Sequence, residues 1–520
     1  MKRTLSCLLV ALLLFAGIVP AVSATKPHDE ATCDKIPIIY CEGAWHSLYS
    51  KPGTPEQEEY WTTGGGGSEI ISDLQKLLPE FPKYIQDEEW DKIADILADF
   101  VNKLFYRARF DENGESVEPL GGNENKMLEE LSRNHKGDPN IYEYCFNYDW
   151  RQDPWILAEQ LKTHIERVCA ATGHSTVNIA AQSGSGCIMM AYLARYGTAH
   201  LRAITIRATL HKGSTVFGDM VNKRIYIDND ALAKTGFLRA FDIADNEKIS
   251  NMLIAANQAG LLKAVLATVN RAFPRIVDRL YEKGMVPAVL RMPMFWAYVP
   301  NADYESGKAI CFGNQRGNYS ELIRKLDRYH YNVQLRSDDL LKEASQKIRV
   351  GLYLGDNSPL TPITKNSNLN GDGFVDTTFA SLGATVAEPY GKKLGMLGVV
   401  FQKNKDGHKH ISPDKTIDAS TCLLPEQTWF VRDISHIGTS NENFVRWFFS
   451  AKKTPTVFSD PAYPQFLVLD DSGDDDIFRP EEKLSFWQQA GAALNPVARM
   501  KDLVFGIVNF IITLGTWWIK

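Results

Sequence analysis

The seventeen residues from Val177 to Leu193, VNIAAQSGSGCIMMAYL, restrict the possible folds more than any other stretch. Val177 to Ala181 is a short apolar run of the kind that a strand buried on both faces requires. Gln182-Ser183-Gly184-Ser185-Gly186 then turns the chain with small residues, and Ile188, Met189, Tyr192 and Leu193 recur at helical spacing. Strand, tight turn, helix is the recipe for a nucleophile elbow, in which a serine hydroxyl is pushed out above a sheet. Ala181 and Ser185, two positions either side of Ser183, are small enough for that turn. The helix start behind the serine offers backbone N–H groups and a positive dipole end to developing negative charge. Gly/Ser-rich turns of this kind also cradle phosphates, but the G-x-x-x-x-G-K-[ST] spacing is absent here.

The flanking sequence supplies the rest of a parallel sheet. Lys35 to Tyr40 (KIPIIY) reads as a first strand, and Gly43-Ala44 directly after it lets the backbone turn an N–H of Ala44 toward a bound carbonyl. His46 follows as a lone loop histidine, a setting in which catalysis is uncommon. Tyr144 to Pro154 is a strand ending in Tyr148-Asp149-Trp150-Arg151, where Asp149 and Arg151 can form a bidentate pair that fixes the exit loop around Trp150. A helix over 154–171 leads into the Val177 strand, a right-handed crossover unit. Leu201 to Arg207 is the next strand. Periodicity then turns helical over 215–346, where Met292 to Tyr304 gathers aromatics that suit a cap core or the lining of an acyl-chain tunnel. Strands resume at Ile348 to Leu354 and, as the last expected, at Thr428 to Ile434, which ends in Ser435-His436.

The expected fold is therefore an α/β-hydrolase: a mostly parallel sheet with helices on both faces and an inserted helical cap. The expected division is a leader over 1–24, core over 25–214 with a helical insert at 51–140, and cap over 215–346. Core resumes over 347–455, followed by an extension over 456–502 and an apolar tail over 503–520. Within the insert, Trp90, Ile93, Leu97, Phe100, Val101 and Leu104 mark an amphipathic helix.

Charge and cysteines exclude several classes. The formal net charge is −6, and it becomes −8 once residues 1–24, with two basic residues and no acids, are removed, which argues against a nucleic-acid partner. Lys2 and Arg3, the apolar run to Ile18 and Val22-Ser23-Ala24 read as a secretory signal, so the product is expected to be secreted or held at the cell surface. The eight cysteines show neither zinc-finger spacing nor a disulfide framework, and Cys187 reads as core filler. No cofactor is expected.

In outline, Tyr148-Asp149-Trp150-Arg151, Val177 to Gly186 and Gly371-Asp372-Gly373-Phe374-Val375 resemble motifs of the lecithin:cholesterol acyltransferase and group XV phospholipase family, with exported bacterial members nearest. Ser435-His436-Ile437 sits where that family has its histidine, and the resemblance spans residues 35 to about 450. It implies Ser183 as nucleophile, Asp372 as acid, His436 as base, and the N–H groups of Gly184 and Ala44 as oxyanion donors. The implied activity is hydrolysis or transfer of acyl groups of lipid-like esters. Gln182 stands where the family has histidine, Ser185 where it has glycine and Phe374 where it has threonine. Gln182 and Ser185 sustain a second reading, a catalytically silent binding or surface protein on the same fold.

Each site residue has a rival. Ser185 is a second serine, and Asp356, at the end of the Ile348 strand, is an alternative acid. His408 and His410, in a Lys/Asp-rich segment, read as solvated. Asn370, Asp372, Gly373 and Asp376 match four positions of a calcium loop, but Phe379 stands where a bidentate Glu is needed and Asn368 brings no charge, so no metal is expected. DDSGDDD (470–476) reads as a solvated loop. The run Leu503 to Ile519, with Trp517-Trp518 and a closing Lys520, reads as an interfacial membrane anchor or a docked helix.

Overall fold

The computed structural model describes residues 36–61, 80–124, 127, 142–234, 253–313, 316–395, 409–436, 442–470 and 477–481. The leader expected over 1–24, the 503–520 tail and His408 lie outside the described residues.

An eight-stranded sheet organises the chain. In chain order its strands are β1 (Ile38–Cys41), β2 (Glu143–Phe146), β3 (Val177–Gln182), β4 (Leu201–Arg207), β5 (Arg349–Asp356), β6 (Thr428–Arg432), β7 (Phe466–Asp470) and β8 (Ile477–Pro480). They lie in the order β8-β7-β6-β5-β4-β3-β1-β2. All neighbours are parallel except the β7–β8 pair. Both faces are covered, so each strand carries apolar residues on alternate sides. Ile39, Ile179, Ile204, Ile206, Leu352 and Phe430 enter one core. Ile38, Tyr40, Ala180, Ala203, Trp429 and Val431 enter another on the opposite side.

The first core is closed by α1 (Pro154–Thr172), α2 (Ser185–Tyr196) and α3 (Ser337–Ser345). In α1, Leu157, Ala158, Leu161, Ile165 and Val168 are buried at three- and four-residue steps. Asp153 caps its start by accepting from Trp155 N, Pro154 opens it, and Gly173 ends it in the left-handed region at φ 75°. The second core is closed by α4 (Glu442–Ser450) through Phe444, Val445 and Phe448. The chain is thus an α/β protein with a mostly parallel sheet and helices on both faces.

Between β4 and β5 every described regular element is a helix. The last of these, α3, packs on α2 and β5, so the far end of the 215–346 segment belongs to the layer that covers the sheet. Two expectations need correction. The 51–140 insert holds the helix at Trp90–Leu104 but also two strands, Glu58–Trp61 and Leu120–Gly121, which flank Leu48–Ser50 just before it in a three-stranded antiparallel sheet. Strands of two to four residues are too short for a period-two pattern to show. The Thr428 strand is not the last: β7 and β8, in the expected extension, continue the sheet, with the acidic run lying between them.

Candidate active site

The C-terminal ends of β3, β5 and β6 share one edge of the sheet, and the loops leaving them converge there. After β3 the chain turns through Ser183 at φ 52°, a left-handed conformation that is costly for a residue with a side chain. The turn is pinned by Ser183 N–H donating to Arg207 O (3.0 Å) and Leu210 N–H donating to Ser183 O (3.3 Å). The hydroxyl is thereby turned out of the sheet. It meets His436, whose Nε2 lies 2.8 Å from Ser183 Oγ. His436 Nδ1 donates in turn to Asp372 Oδ2 at 2.8 Å, and His436 N–H donates to Asp372 O at 2.8 Å. The other carboxylate oxygen, Asp372 Oδ1, accepts from Phe374 N (3.0 Å) and Val375 N (2.8 Å). Asp372 is 2 % exposed, and three fixed donors, two backbone N–H groups and the His436 ring, meet its two carboxylate oxygens. A bare imidazole is neutral with one N–H. A carboxylate at Nδ1 therefore keeps that proton there and leaves Nε2 free to accept from the serine.

The elements that hold this line are visible locally. A Cβ on Gly355 would lie 2.5 Å from Ile434 O and 2.7 Å from Asp372 Cβ, so glycine at the end of β5 lets the acid and histidine loops close over it. Ser214 Oγ donates to Phe374 O, and Thr215 N and Oγ1 donate to Asp376 at 2.8 and 2.5 Å, tying the acid loop to the start of the helical segment. Phe374 lies against the imidazole with ring centroids 5.5 Å apart.

The rival residues are placed elsewhere. Ser185 is buried, with Oγ 2.9 Å from Cys41 O and 2.8 Å from Gln182 O while accepting from Gln182 N at 2.8 Å; it staples the elbow to β1. Asp356 is buried beside Glu481, Arg432 and Asp414, and burial first, then Glu481, pushes its carboxyl well above the usual carboxylate range. His436 Nδ1 turns to Asp372 instead. His410 is not solvated: it is buried, with Nδ1 2.7 Å from Gln465 Oε1. Of the calcium-pattern residues, Asp372 serves His436, Asp376 serves Thr215 and Asn370 Oδ1 accepts from Asn357 N at 2.8 Å. Among the described residues no group of three or more His, Cys, Asp or Glu is placed to hold a metal ion.

The loop after β1 brings Gly43 against the serine, for a Cβ there would lie 3.0 Å from Ser183 Cβ. His46 clamps this loop: Nδ1 is 2.8 Å from Gly43 O and Nε2 is 2.6 Å from Tyr148 O. Glu42 Oε2 lies 3.8 Å from the same ring nitrogen, Nδ1. The Tyr148–Arg151 cluster completes the clamp. Tyr148 Oη donates to Glu42 O (2.8 Å) and Trp150 Nε1 donates to His46 O (3.0 Å). Arg151 and Asp149 are joined bidentately at 2.7 Å and 2.7 Å, both buried. A small apolar crevice lies beside this loop, with Ala44, Trp45, Trp150, Phe217, Phe295 and Tyr298 in its walls.

Three residues escape sequence reasoning. Arg207, buried at the end of β4, donates to Gln182 Oε1 (3.2 Å) and Ser435 O (3.4 Å), linking the residues that precede the serine and the histidine. This gives Gln182 a structural role. His46 was visible only as a loop histidine, and Tyr298 only as one aromatic in the Met292–Tyr304 cluster.

A scan against protein-family models finds no match, and a search of curated proteins finds none. Among solved structures, the crystal structure of the Tle4-Tli4 complex aligns at 12 % identity over 62 % of this chain and 75 % of that one, with a TM-score of 0.26, a likeness too slight to bear on function.

Proposed function

We propose that this protein is an exported serine hydrolase that cleaves or transfers the acyl group of lipid-like esters, and that it is kin to the lecithin:cholesterol acyltransferase and group XV phospholipases. One observation carries the reading: Asp372, His436 and Ser183 stand in a hydrogen-bonded line, with 2.8 Å at each junction, and Ser183 sits on a strained turn. The chemistry follows from the geometry. Ser183 Oγ attacks the ester carbonyl as its proton passes to His436 Nε2, and Asp372 stabilises the imidazolium so formed. The new oxyanion faces the N–H groups of Gly184 and Ala44. Collapse of the tetrahedral species breaks the C–O bond to the alcohol, which takes the proton from Nε2 and leaves an acyl-serine. A water or an acceptor alcohol then gives its proton to Nε2 and attacks the acyl carbon. Release of the acid or new ester returns the proton to Ser183 Oγ.

Apolar side chains beside the loop after β1, among them Trp45, Trp150 and Phe217, suit contact with the acyl portion of such a substrate. Export through residues 1–24 and adsorption to a membrane surface through 503–520 belong to the same proposal and rest on the sequence pattern. The test is hydrolysis of a panel of p-nitrophenyl and phospholipid esters, with and without an acceptor alcohol, by wild type and Ser183→Ala. Turnover by wild type and a loss of several orders of magnitude in the variant are expected. No ester turned over by wild type would leave the silent-protein reading in its place, and equal rates in both proteins would remove Ser183 as the nucleophile.

A further inference from the structure

We infer that the hydroxyl of Tyr298 is a third donor to the oxyanion, beside the N–H groups of Gly184 and Ala44; this inference rests on the reading of the site given above. Three observations lead to it. First, the hydroxyl is buried and has no hydrogen-bond partner, although a buried tyrosine hydroxyl normally finds one. Second, it is aimed at the elbow: a Cβ on Gly184 would lie 2.2 Å from Tyr298 Oη, so the hydroxyl takes the space a side chain after the nucleophile would occupy. Gly184 is the residue whose N–H faces the carbonyl oxygen in such a turn. Third, Tyr298 and Ala44 both line the small apolar crevice beside the loop after β1.

The ring is held in advance of any substrate. Its centroid is 5.0 Å from that of Phe217, its N–H donates to Phe295 O (3.2 Å), and its carbonyl accepts from Ser214 N (2.9 Å). A donor fixed in place and left unsatisfied in the resting state needs no reorganisation when negative charge appears next to it. Burial, and secondarily Cys187, holds the phenol well above its usual range, so it stays protonated and able to donate.

The test is Tyr298→Phe, which keeps the ring and removes only the oxygen. Steady-state kinetics on a short p-nitrophenyl ester should show kcat lower by about 10²-fold with KM within about threefold, the pattern of a contact made only in the transition state. The inhibition constant of a trifluoromethyl ketone, whose serine adduct carries an oxyanion, should rise by a similar factor. The melting temperature should be unchanged or higher, since an unsatisfied buried polar atom has been removed. A kcat within threefold of wild type, or an unchanged ketone inhibition constant whatever the melting temperature, overturns the inference. So does a rise in KM alone, which would mean a ground-state contact. Wild type that neither turns over ester nor binds ketone overturns the hydrolase reading as well, whereas active wild type matched by Tyr298→Phe removes the tyrosine alone.

Discussion

Replacing Asp372 by Asn tests the acid through the tautomer of its histidine. The two backbone donors on Oδ1, Phe374 N at 3.0 Å and Val375 N at 2.8 Å, require an oxygen in that position. An Asn side chain must therefore turn its carbonyl to those N–H groups and its NH₂ toward His436 Nδ1. Two donors cannot face each other across 2.8 Å, so the imidazole moves its proton to Nε2 and leaves Nδ1 as the acceptor. Nε2–H then points at Ser183 Oγ and cannot take its proton. The expected loss in kcat is about 10⁴-fold, equal to about 5.5 kcal/mol of transition-state stabilisation at 1.36 kcal/mol per decade. Stopped-assay hydrolysis of a short soluble ester measures it, with thermal melts to show that the fold persists. Activity within tenfold of wild type would refute this reasoning, as would silence of Asp356→Asn beside a normal Asp372→Asn.

Three further outcomes follow from particular contacts. Asp356 has a carboxyl pushed up in the folded protein, so the native state binds more protons than the unfolded chain above the ordinary carboxylate range, and stability falls as pH rises toward the native value. Asp356→Asn should remove that slope; its stability gain over wild type should widen by up to about 1.4 kcal/mol per pH unit in that window, and an equal gap in urea melts at pH 5 and pH 8 would contradict it. Gly355→Ala places a methyl 2.5 Å from Ile434 O and 2.7 Å from Asp372 Cβ, so melts should show a cost of about 1–3 kcal/mol and kcat should drop more than about tenfold, while Gly317→Ala, with open space around it, should match wild type in both. His46→Ala removes both bonds that hold Gly43 O and Tyr148 O, and kcat/KM on the same ester should fall about 10- to 100-fold; an unchanged value would mean that the loop keeps its position without the clamp.

Features that depend on neighbours in sequence were the legible ones. Val177–Gln182 and the small residues after it announce strand and elbow because both patterns are local, and Asp149 with Arg151 announces a pair only two positions apart. The order of serine, acid and histidine along the chain follows from which strand precedes each. Long-range polar contacts leave no such trace. His46 reaches Tyr148 O across 102 positions and Arg207 reaches Ser435 O across 228, and both end on backbone carbonyls that every residue carries. Ser185 looked like a departure in the turn because nothing local shows that its hydroxyl will staple Cys41 O. His410 looked solvated because the lysines and aspartates beside it set the local pattern, while Gln465, its partner, lies 55 positions away. The continuation of the sheet into β7 and β8 was hidden by strands of five and four residues separated by an acidic run.

The central claim, an activated serine at position 183, is tested most directly by treating the protein with a fluorophosphonate and locating the adduct by mass spectrometry. Displacement of fluoride requires a serine whose proton a neighbouring base can take, so labelling reports the Ser183–His436 junction without reference to any substrate. One adduct per chain, on the peptide containing Ser183 and absent from Ser183→Ala, is the expected result. No adduct on folded wild type, or an adduct on Ser185 or any other residue, would contradict it.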